Sequence, residues 1–366
     1  MNSFLILLLT LGIVGSLSAQ DQRFKTWDKN KDGKLAKAEL PQALQKNFAK
    51  VDTNKDGFIS LQEHNAVLQR DQQKRTNDAL KGIKVVKNLD YTGTGNPRHT
   101  LDLFLPEARK SDEPLPLLVF IHGGGWRKGS KEGAGRRIAG FVSSGKYVGV
   151  AINYRLSDEA QWPAQIHDCK AAIRWLRGNA EKYGIQKDKI AVWGTSAGGH
   201  LVAMLGVSGD VDELEGDLGD FDDESSRVQA VVDYFGPTEF LTMGKGEVID
   251  HRSPTSPEGL LLGGAPAEKK EAALSASPVT HVTADDAPHL IVHGDGDLLV
   301  PVQQSEKFDK LLDEVGVEST FLLIKGGGHG QRFDENLLGK KIEIFLDRHL
   351  RGGKEKVKEE VLKAKI

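Results

Sequence analysis

The sequence predicts an α/β fold: a mostly parallel sheet of about eight strands flanked by helices, preceded by a small all-α module. Three observations predict it. From Ile83 onward, short apolar runs rich in β-branched residues alternate with longer stretches of helical spacing, the pattern of strands joined by crossover helices. One such run, Ile190-Ala191-Val192-Trp193, breaks at Gly194-Thr195-Ser196-Ala197-Gly198 and resumes as an apolar, proline-free segment, hence strand, sharp turn, helix. Ahead of these lie two copies of one twelve-residue Asp/Asn/Gly loop pattern.

The first 19 residues are read as a signal peptide. Residues 4–14 are an apolar stretch of eleven, followed by the small-residue run Gly15-Ser16-Leu17-Ser18-Ala19. That stretch is shorter than the roughly 20 residues a spanning helix needs, and its end suits cleavage after Ala19. No Lys or Arg precedes it, but export to the periplasm or the medium is the expectation, with no membrane span left in the mature chain. Cys169 is the only cysteine, so no intramolecular disulfide can form. With Ile166, Ile173 and Leu176 it keeps helical spacing, which makes it a small buried hydrophobe. A formal charge of -3 and the lack of a long basic run exclude a general nucleic-acid binder.

Residues 20–68 carry the paired loops. Asp28, Asn30 and Asp32 in the first, and Asp52, Asn54 and Asp56 in the second, place oxygen side chains at positions 1, 3 and 5. Gly33 and Gly57 stand at position 6, Leu35 and Ile59 at 8, Glu39 and Glu63 at 12. Both loops resemble EF-hand calcium loops, which gather about six to eight hard oxygens around the ion and need a left-handed residue at position 6. The resemblance implies that Lys34 and Phe58 lend backbone carbonyls and Ser60 its hydroxyl. Ala36 lacks an oxygen there, so water has to take its place. The loops begin only 24 residues apart, leaving room for one short helix from Pro41. With three Met in the chain and no sign of a Met-rich groove, calcium is expected to be structural rather than a signal.

Polar residues 69–82 are read as a linker, and residues 83–351 as the main domain. Strand candidates are residues 83–89, 100–105, 117–121, 148–154, 190–193, 228–235, 289–293 and 320–325, the first two forming an antiparallel edge pair. Helices are expected at 164–183, 196–206, 303–315 and 335–349. Residues 210–224 hold nine carboxylates and read as a solvated loop. Residues 242–282, rich in Pro and Gly and without clear periodicity, are expected to cover part of the site. The charged tail 352–366 reads as a helix or frayed end.

The chemistry gathers at strand ends. Gly194-Thr195-Ser196-Ala197-Gly198 between strand and helix is the setting of a nucleophile elbow, with Ser196 on a strained turn. Upstream, the strand Leu117-Leu118-Val119-Phe120-Ile121 runs into His122-Gly123-Gly124-Gly125-Trp126, where glycines can present several N–H groups together, as an oxyanion hole requires. The donors expected are the amides of Gly124, Gly125 and Ala197. Downstream, His293-Gly294-Asp295-Gly296-Asp297 offers two carboxylates, and Gly326-Gly327-Gly328-His329-Gly330 offers a base. The order Ser, Asp, His completes the pattern.

These motifs, over residues from about 84 to 351, resemble α/β-hydrolases of the esterase/lipase superfamily. They look most like secreted bacterial carbohydrate esterases that remove acetyl or feruloyl groups from plant polysaccharides. The resemblance implies Ser196 as nucleophile, Asp297 as acid in its H-G-x-x-D-x-x-V-P setting, with Asp295 the competitor, and His329 as base. Asn153-Tyr154-Arg155, Gln161-Trp162-Pro163-Ala164 and Phe235-Gly236-Pro237-Thr238 also agree with the family. The large amino-terminal cap of hormone-sensitive-lipase-like relatives is missing, which implies an open site suited to a polysaccharide-linked ester. An amidase or formamidase, a small-ester esterase or lipase, and a non-catalytic calcium-dependent binding protein are the rival readings.

Overall fold

The structure is a computed structural model that describes residues 23–109 and 113–365. The expected signal peptide, 1–19, lies outside the described residues. The chain forms two compact units, Met1–Ala79 and Leu80–Ile366.

In the first unit the two loops are joined through a short antiparallel pair, β1 (Lys34–Ala36) with β2 (Phe58–Ser60). Leu35 stands opposite Ile59, so the two apolar position-8 residues meet, and both are buried with Phe24, Leu40 and Phe48. Between the loops the single helix expected from Pro41 is two short ones, Gln42–Gln45 and Phe48–Val51. A longer helix, Leu61–Ala79, leaves the second loop. It starts with a reciprocal cap: Ser60 Oγ accepts from Glu63 N at 3.2 Å while Glu63 accepts from Ser60 N at 3.0 Å. It then runs through most of the stretch read as a linker. Residues 58–81 contain no Gly or Pro, and the Gln, Arg and Lys residues that make the segment look like a connector are also good helix formers.

The second unit is built on nine strands in the order β11-β10-β9-β8-β7-β5-β6-β4-β3. They are β3 (Ile83–Asp90), β4 (Thr100–Pro106), β5 (Leu115–Ile121), β6 (Val148–Ile152), β7 (Ile185–Thr195), β8 (Ala230–Tyr234), β9 (His289–Gly294), β10 (Ser319–Lys325) and β11 (Glu360–Lys363). β3 and β4 pair antiparallel at one edge, β4 also runs antiparallel to β6, and all other neighbours are parallel. The central strands are buried on both faces, which explains their unbroken apolar runs. Along β7 the side chains alternate: Val192 joins the cluster of Leu201 and Ile166, while Trp193 packs on Phe141. Helices Ala164–Gly178, Ala197–Val207 and Gln303–Glu314 cover the first face, and Gly135–Ser143 and Glu335–Arg351 the second.

The ninth strand corrects the reading of the tail. Glu360–Lys363 pairs in parallel with β10, Glu360 standing opposite Leu322, and is neither helical nor frayed. An edge strand with one flank in water tolerates the charged residues that hide its period. The acidic loop is also only partly solvated. Glu215 folds back onto the buried Lys170 and Arg174 at 2.9 and 2.6 Å. Among the described residues no helix is long and apolar enough to cross a membrane.

Candidate active site

The parallel strands deliver their carboxyl ends, and the loops that follow them, to one edge of the sheet. β7 ends at Thr195, and Ser196 turns the chain with φ 57 and ψ -122 directly into helix Ala197–Val207. A non-glycine residue in that region is strained by about 1–3 kcal/mol, so the surroundings have to hold it. They do so by contact: Ser196 N donates to Tyr234 O at 2.8 Å, and His200 N returns to Ser196 O at 2.9 Å. A Cβ on Gly198 would overlap the Ile121 carbonyl at the end of β5, so only glycine lets the turn sit against that strand.

β5 leads into His122-Gly123-Gly124-Gly125-Trp126. Gly124, Gly125 and Trp126 all have positive φ, at 120, 60 and 55. A Cβ on Gly124 would run into the Lys128 carbonyl, in a turn closed by Arg127 N and Lys128 N on Gly124 O, each at 3.2 Å. The front of the loop is anchored by Tyr154. Its hydroxyl donates to His122 O at 3.0 Å and its ring stacks on the His122 imidazole at 4.4 Å. The next residue, Arg155, grips the fully buried Asp168 through Nε at 3.0 Å and Nη2 at 2.6 Å.

The loops after β9 and β10 bring Asp297 and His329 together, with His329 Nδ1 2.7 Å from Asp297 Oδ2. The other oxygen, Oδ1, accepts from Leu299 N at 2.8 Å and Val300 N at 3.0 Å. Burial would raise the Asp297 carboxyl, but hydrogen bonds from His293 and His329 outweigh it and hold the group well below the usual carboxylate range. The ionised carboxylate can only accept, so His329 carries its hydrogen on Nδ1 and leaves Nε2 free to take a proton. Asp295 does not join them; it accepts from Gly326 N at 2.6 Å and ties the β9 loop to the β10 loop. Phe235, which follows the Tyr234 that holds Ser196, puts its ring 4.4 Å from the His329 imidazole.

Two residues of this cluster carry no catalytic signal in the sequence beyond membership of a motif. His293 Nε2 lies 3.2 Å from Asp297 Oδ2. Phe235 takes φ 46. The segment 242–282, which showed no periodicity, contains helices Pro257–Leu262 and Lys270–Ser275. They are one to two turns long, too short to register a period. Pro257 abuts Gly125, and His251 and Glu258 form a buried pair at 3.0 Å. Between this segment and the Asp297 loop lies a cavity of about 190 Å³, lined in part by Glu247, His251, Asp295 and Gln303.

In the first unit, Lys31 and Lys55 at position 4 and Gly33 and Gly57 at position 6 all take positive φ, which curls each loop inward. Asp28 accepts from Asp32 N at 3.2 Å and Gly33 N at 2.9 Å, and Asp52 does the same for Asp56 and Gly57 at 3.2 and 3.1 Å. Glu39 accepts from Lys29, Asn30 and Ala36 amides; Glu63 accepts from those of Thr53, Asn54 and Ser60. The Ser60 amide heads the contacts that hold the Glu63 carboxyl down to about 2. Among the described residues no three His, Cys, Asp or Glu side chains converge as a metal cluster on their own. The donor set fits a hard cation nonetheless, since each loop adds Asn and backbone oxygens to its carboxylates, with no sulfur or imidazole.

A family model described as EF hand matches residues 44–67. Esterase LipC of Mycobacterium tuberculosis is 31% identical over 242 residues, 64% of this chain and 57% of LipC. The chain thus spans little more than half the length of that curated relative. A solved truncated carbohydrate esterase from gut microbiota is 35% identical, with TM-score 0.63, over 68% of this chain and 89% of its own. A bifunctional GH43-CE protein of Bacteroides eggerthii is 33% identical, with TM-score 0.67, over 72% of this chain and 38% of its own. The family model described as BD-FAE matches residues 101–312, more than half of the sequence and every strand-end motif except the one bearing His329, and the chain therefore belongs to the BD-FAE family with an α/β-hydrolase fold.

Proposed function

We propose that the protein is a serine carboxylic-ester hydrolase that removes acetyl or feruloyl groups from plant or algal polysaccharides. The observation that carries the reading is the pair of Asp297 and His329, 2.7 Å apart and linked through Phe235 and Tyr234 to the strained Ser196. Ser196 Oγ attacks the ester carbonyl as His329 Nε2 takes its proton and Asp297 holds the imidazole on Nδ1. The same proton then goes to the departing sugar oxygen. Water, deprotonated by His329, releases the acid from the acyl-enzyme. The amides of Gly124, Gly125 and Ala197 receive the oxyanion, each worth about 3 kcal/mol.

The carbohydrate part of the reading is supported by the two solved relatives, a carbohydrate esterase from gut microbiota and a bifunctional GH43-CE protein. Calcium is the implied cofactor of the first unit, where Asp28, Asn30, Asp32, Lys34 and Glu39 would hold one ion and Asp52, Asn54, Asp56, Phe58, Ser60 and Glu63 another. It supplies charge neutralisation to the loops and takes no part in ester cleavage. Secretion or periplasmic export follows from residues 1–19.

The test is turnover by the intact protein and Ser196→Ala on acetylated xylan, feruloylated arabinoxylan, p-nitrophenyl acetate, an N-formyl aryl amide and a long-chain triglyceride. The reading expects acetyl or feruloyl ester cleavage, lost in Ser196→Ala together with fluorophosphonate labelling. Turnover that survives in Ser196→Ala overturns the serine mechanism, and preference for the formamide or triglyceride overturns the substrate class.

A further inference from the structure

The glycine loop and the elbow helix are joined by a contact that the ester mechanism above does not use. Trp126 ends the loop with φ 55, a value a bulky residue rarely adopts, and is only 1% exposed. Its indole Nε1 donates to Nδ1 of His200 at 3.2 Å. The other ring nitrogen, Nε2, lies 2.6 Å from the Ala276 carbonyl. A carbonyl can only accept, so Nε2 carries the hydrogen and Nδ1 is left as the acceptor for tryptophan. Burial pushes the His200 imidazole down to about 4, against the raising effect of Ala276, so the ring keeps that lone pair at neutral pH.

The position of this bond gives it leverage. His200 sits in the first turn of helix Ala197–Val207 and its amide closes on Ser196 O. Ala197, whose amide is one expected oxyanion donor, lies in the same turn. Gly124 and Gly125, the other two, immediately precede Trp126. Three consecutive positive φ values do not hold themselves, and tertiary contacts have to select the conformation. Trp126 O is taken by Ser157 N at 2.7 Å, and its ring is boxed by His200 edge-on at 5.1 Å and Phe240 at 5.5 Å. Trp162 also packs against His200, at 5.5 Å.

We propose that Trp126 and His200 are a positioning pair whose hydrogen bond sets the Gly124 and Gly125 amides against the Ala197 amide, and so decides how tightly the oxyanion is held. The inference rests on the serine-esterase reading. Neither side chain touches substrate in this account; both act through backbone N–H groups. A shift of the loop by a fraction of an ångström weakens transition-state binding while leaving ground-state binding nearly alone.

The decisive variant is Trp126→Phe, which keeps a ring in the box and removes the donor. With p-nitrophenyl acetate its kcat is expected to fall about tenfold or more with KM within about twofold, because one oxyanion donor is worth about 10²–10³ and here it is displaced rather than deleted. Inhibition by a phenylboronic acid, whose tetrahedral adduct occupies the same hole, is expected to weaken by a similar factor. His200→Leu should match that loss, His200→Asn, which can return an acceptor near Nδ1, should recover most of it, and Trp126→Phe/His200→Leu should be no slower than the worse single variant. If Trp126→Phe fails to fold, the two His200 variants carry the test alone. Equal kcat in His200→Asn and His200→Leu, or an unchanged boronate affinity where kcat has dropped, overturns the proposal. An intact protein with no ester turnover would instead overturn the underlying functional reading.

Discussion

His293 stands behind Asp297 and donates to it, Nε2 to Oδ2 at 3.2 Å, on the same oxygen that His329 reaches from the front. The tautomer follows from the partners. Nε2 also faces the Val300 carbonyl at 3.0 Å, so it meets two acceptors and must carry the hydrogen, while Nδ1 takes the Ser305 hydroxyl at 2.7 Å. Asp297 is therefore oriented by a second imidazole that takes no proton in the proposed reaction.

Replacing that imidazole should lower stability and change its pH dependence. His293→Phe removes a hydrogen bond to a charged group, expected to cost about 1.5–3 kcal/mol at neutral pH. The folded Asp297 carboxyl is held below its unfolded value of about 3.9, so its contribution is fully present above that pH and is lost as pH falls further, through the folded value. Urea unfolding should show the gap between the two proteins holding near pH 5 and narrowing only below about pH 4, as the folded Asp297 carboxyl takes up its proton. A gap that widens on acidification contradicts the assignment.

The two carboxylates after β9 can be separated kinetically. Asp297→Asn leaves His329 without an ionised partner and should reduce kcat about 10⁴-fold. Asp295→Asn disturbs only the strut to Gly326 N and should cost less than about tenfold. Steady-state rates on p-nitrophenyl acetate measure both, and a larger loss at 295 reverses the roles.

Asp233 on β8 gives the main unit a second pH dependence, opposite in sign. It is fully buried below the elbow, with Oδ1 on Gly236 N at 2.9 Å and no hydrogen-bond partner for Oδ2 among the described residues. Burial pushes its carboxyl up to about 7 despite the Gly236 bond. Between about pH 4 and that value the folded state keeps a proton that the unfolded chain has released, so stability falls as pH rises, by up to about 4 kcal/mol. Asp286 and Asp309, both raised by burial to about 6, slope the same way and remain in Asp233→Asn. The measurement is thus a difference: denaturant unfolding of Asp233→Asn should lose less stability across this window than the parent, and parallel curves would refute the prediction.

Calcium should stabilise the first unit without switching activity. At about a hundredfold excess over Kd, one bound ion adds about 2.7 kcal/mol. Scanning calorimetry of the full chain in calcium against EGTA should move an amino-terminal transition upward, and Glu63→Gln should reduce the shift. Ester turnover that appears only with calcium would reassign the loops to regulation.

Much of this architecture was legible in local sequence because the main strands are buried on both faces. Such strands have to be apolar throughout, as in Leu117-Leu118-Val119-Phe120-Ile121, and the turns after them need residues that tolerate special backbone angles. What escaped was polar or short. Glu360–Lys363 is a strand only because β10 lies beside it, and Leu61–Ala79 extends through a segment whose charges resemble a connector.

The sequence by itself determined the order of strand, elbow and helix around Ser196, the glycine-rich loop upstream, and the two twelve-residue loops, because each depends on residue types at fixed short spacing. Tertiary structure alone decided how closely Asp297 meets His329, that His293 backs it, and that Trp126 meets His200. Those contacts join residues 4, 32 and 74 positions apart, and no local spacing encodes the packing that closes such distances. Even the four-residue case depends on the β9 loop folding back on its own strand.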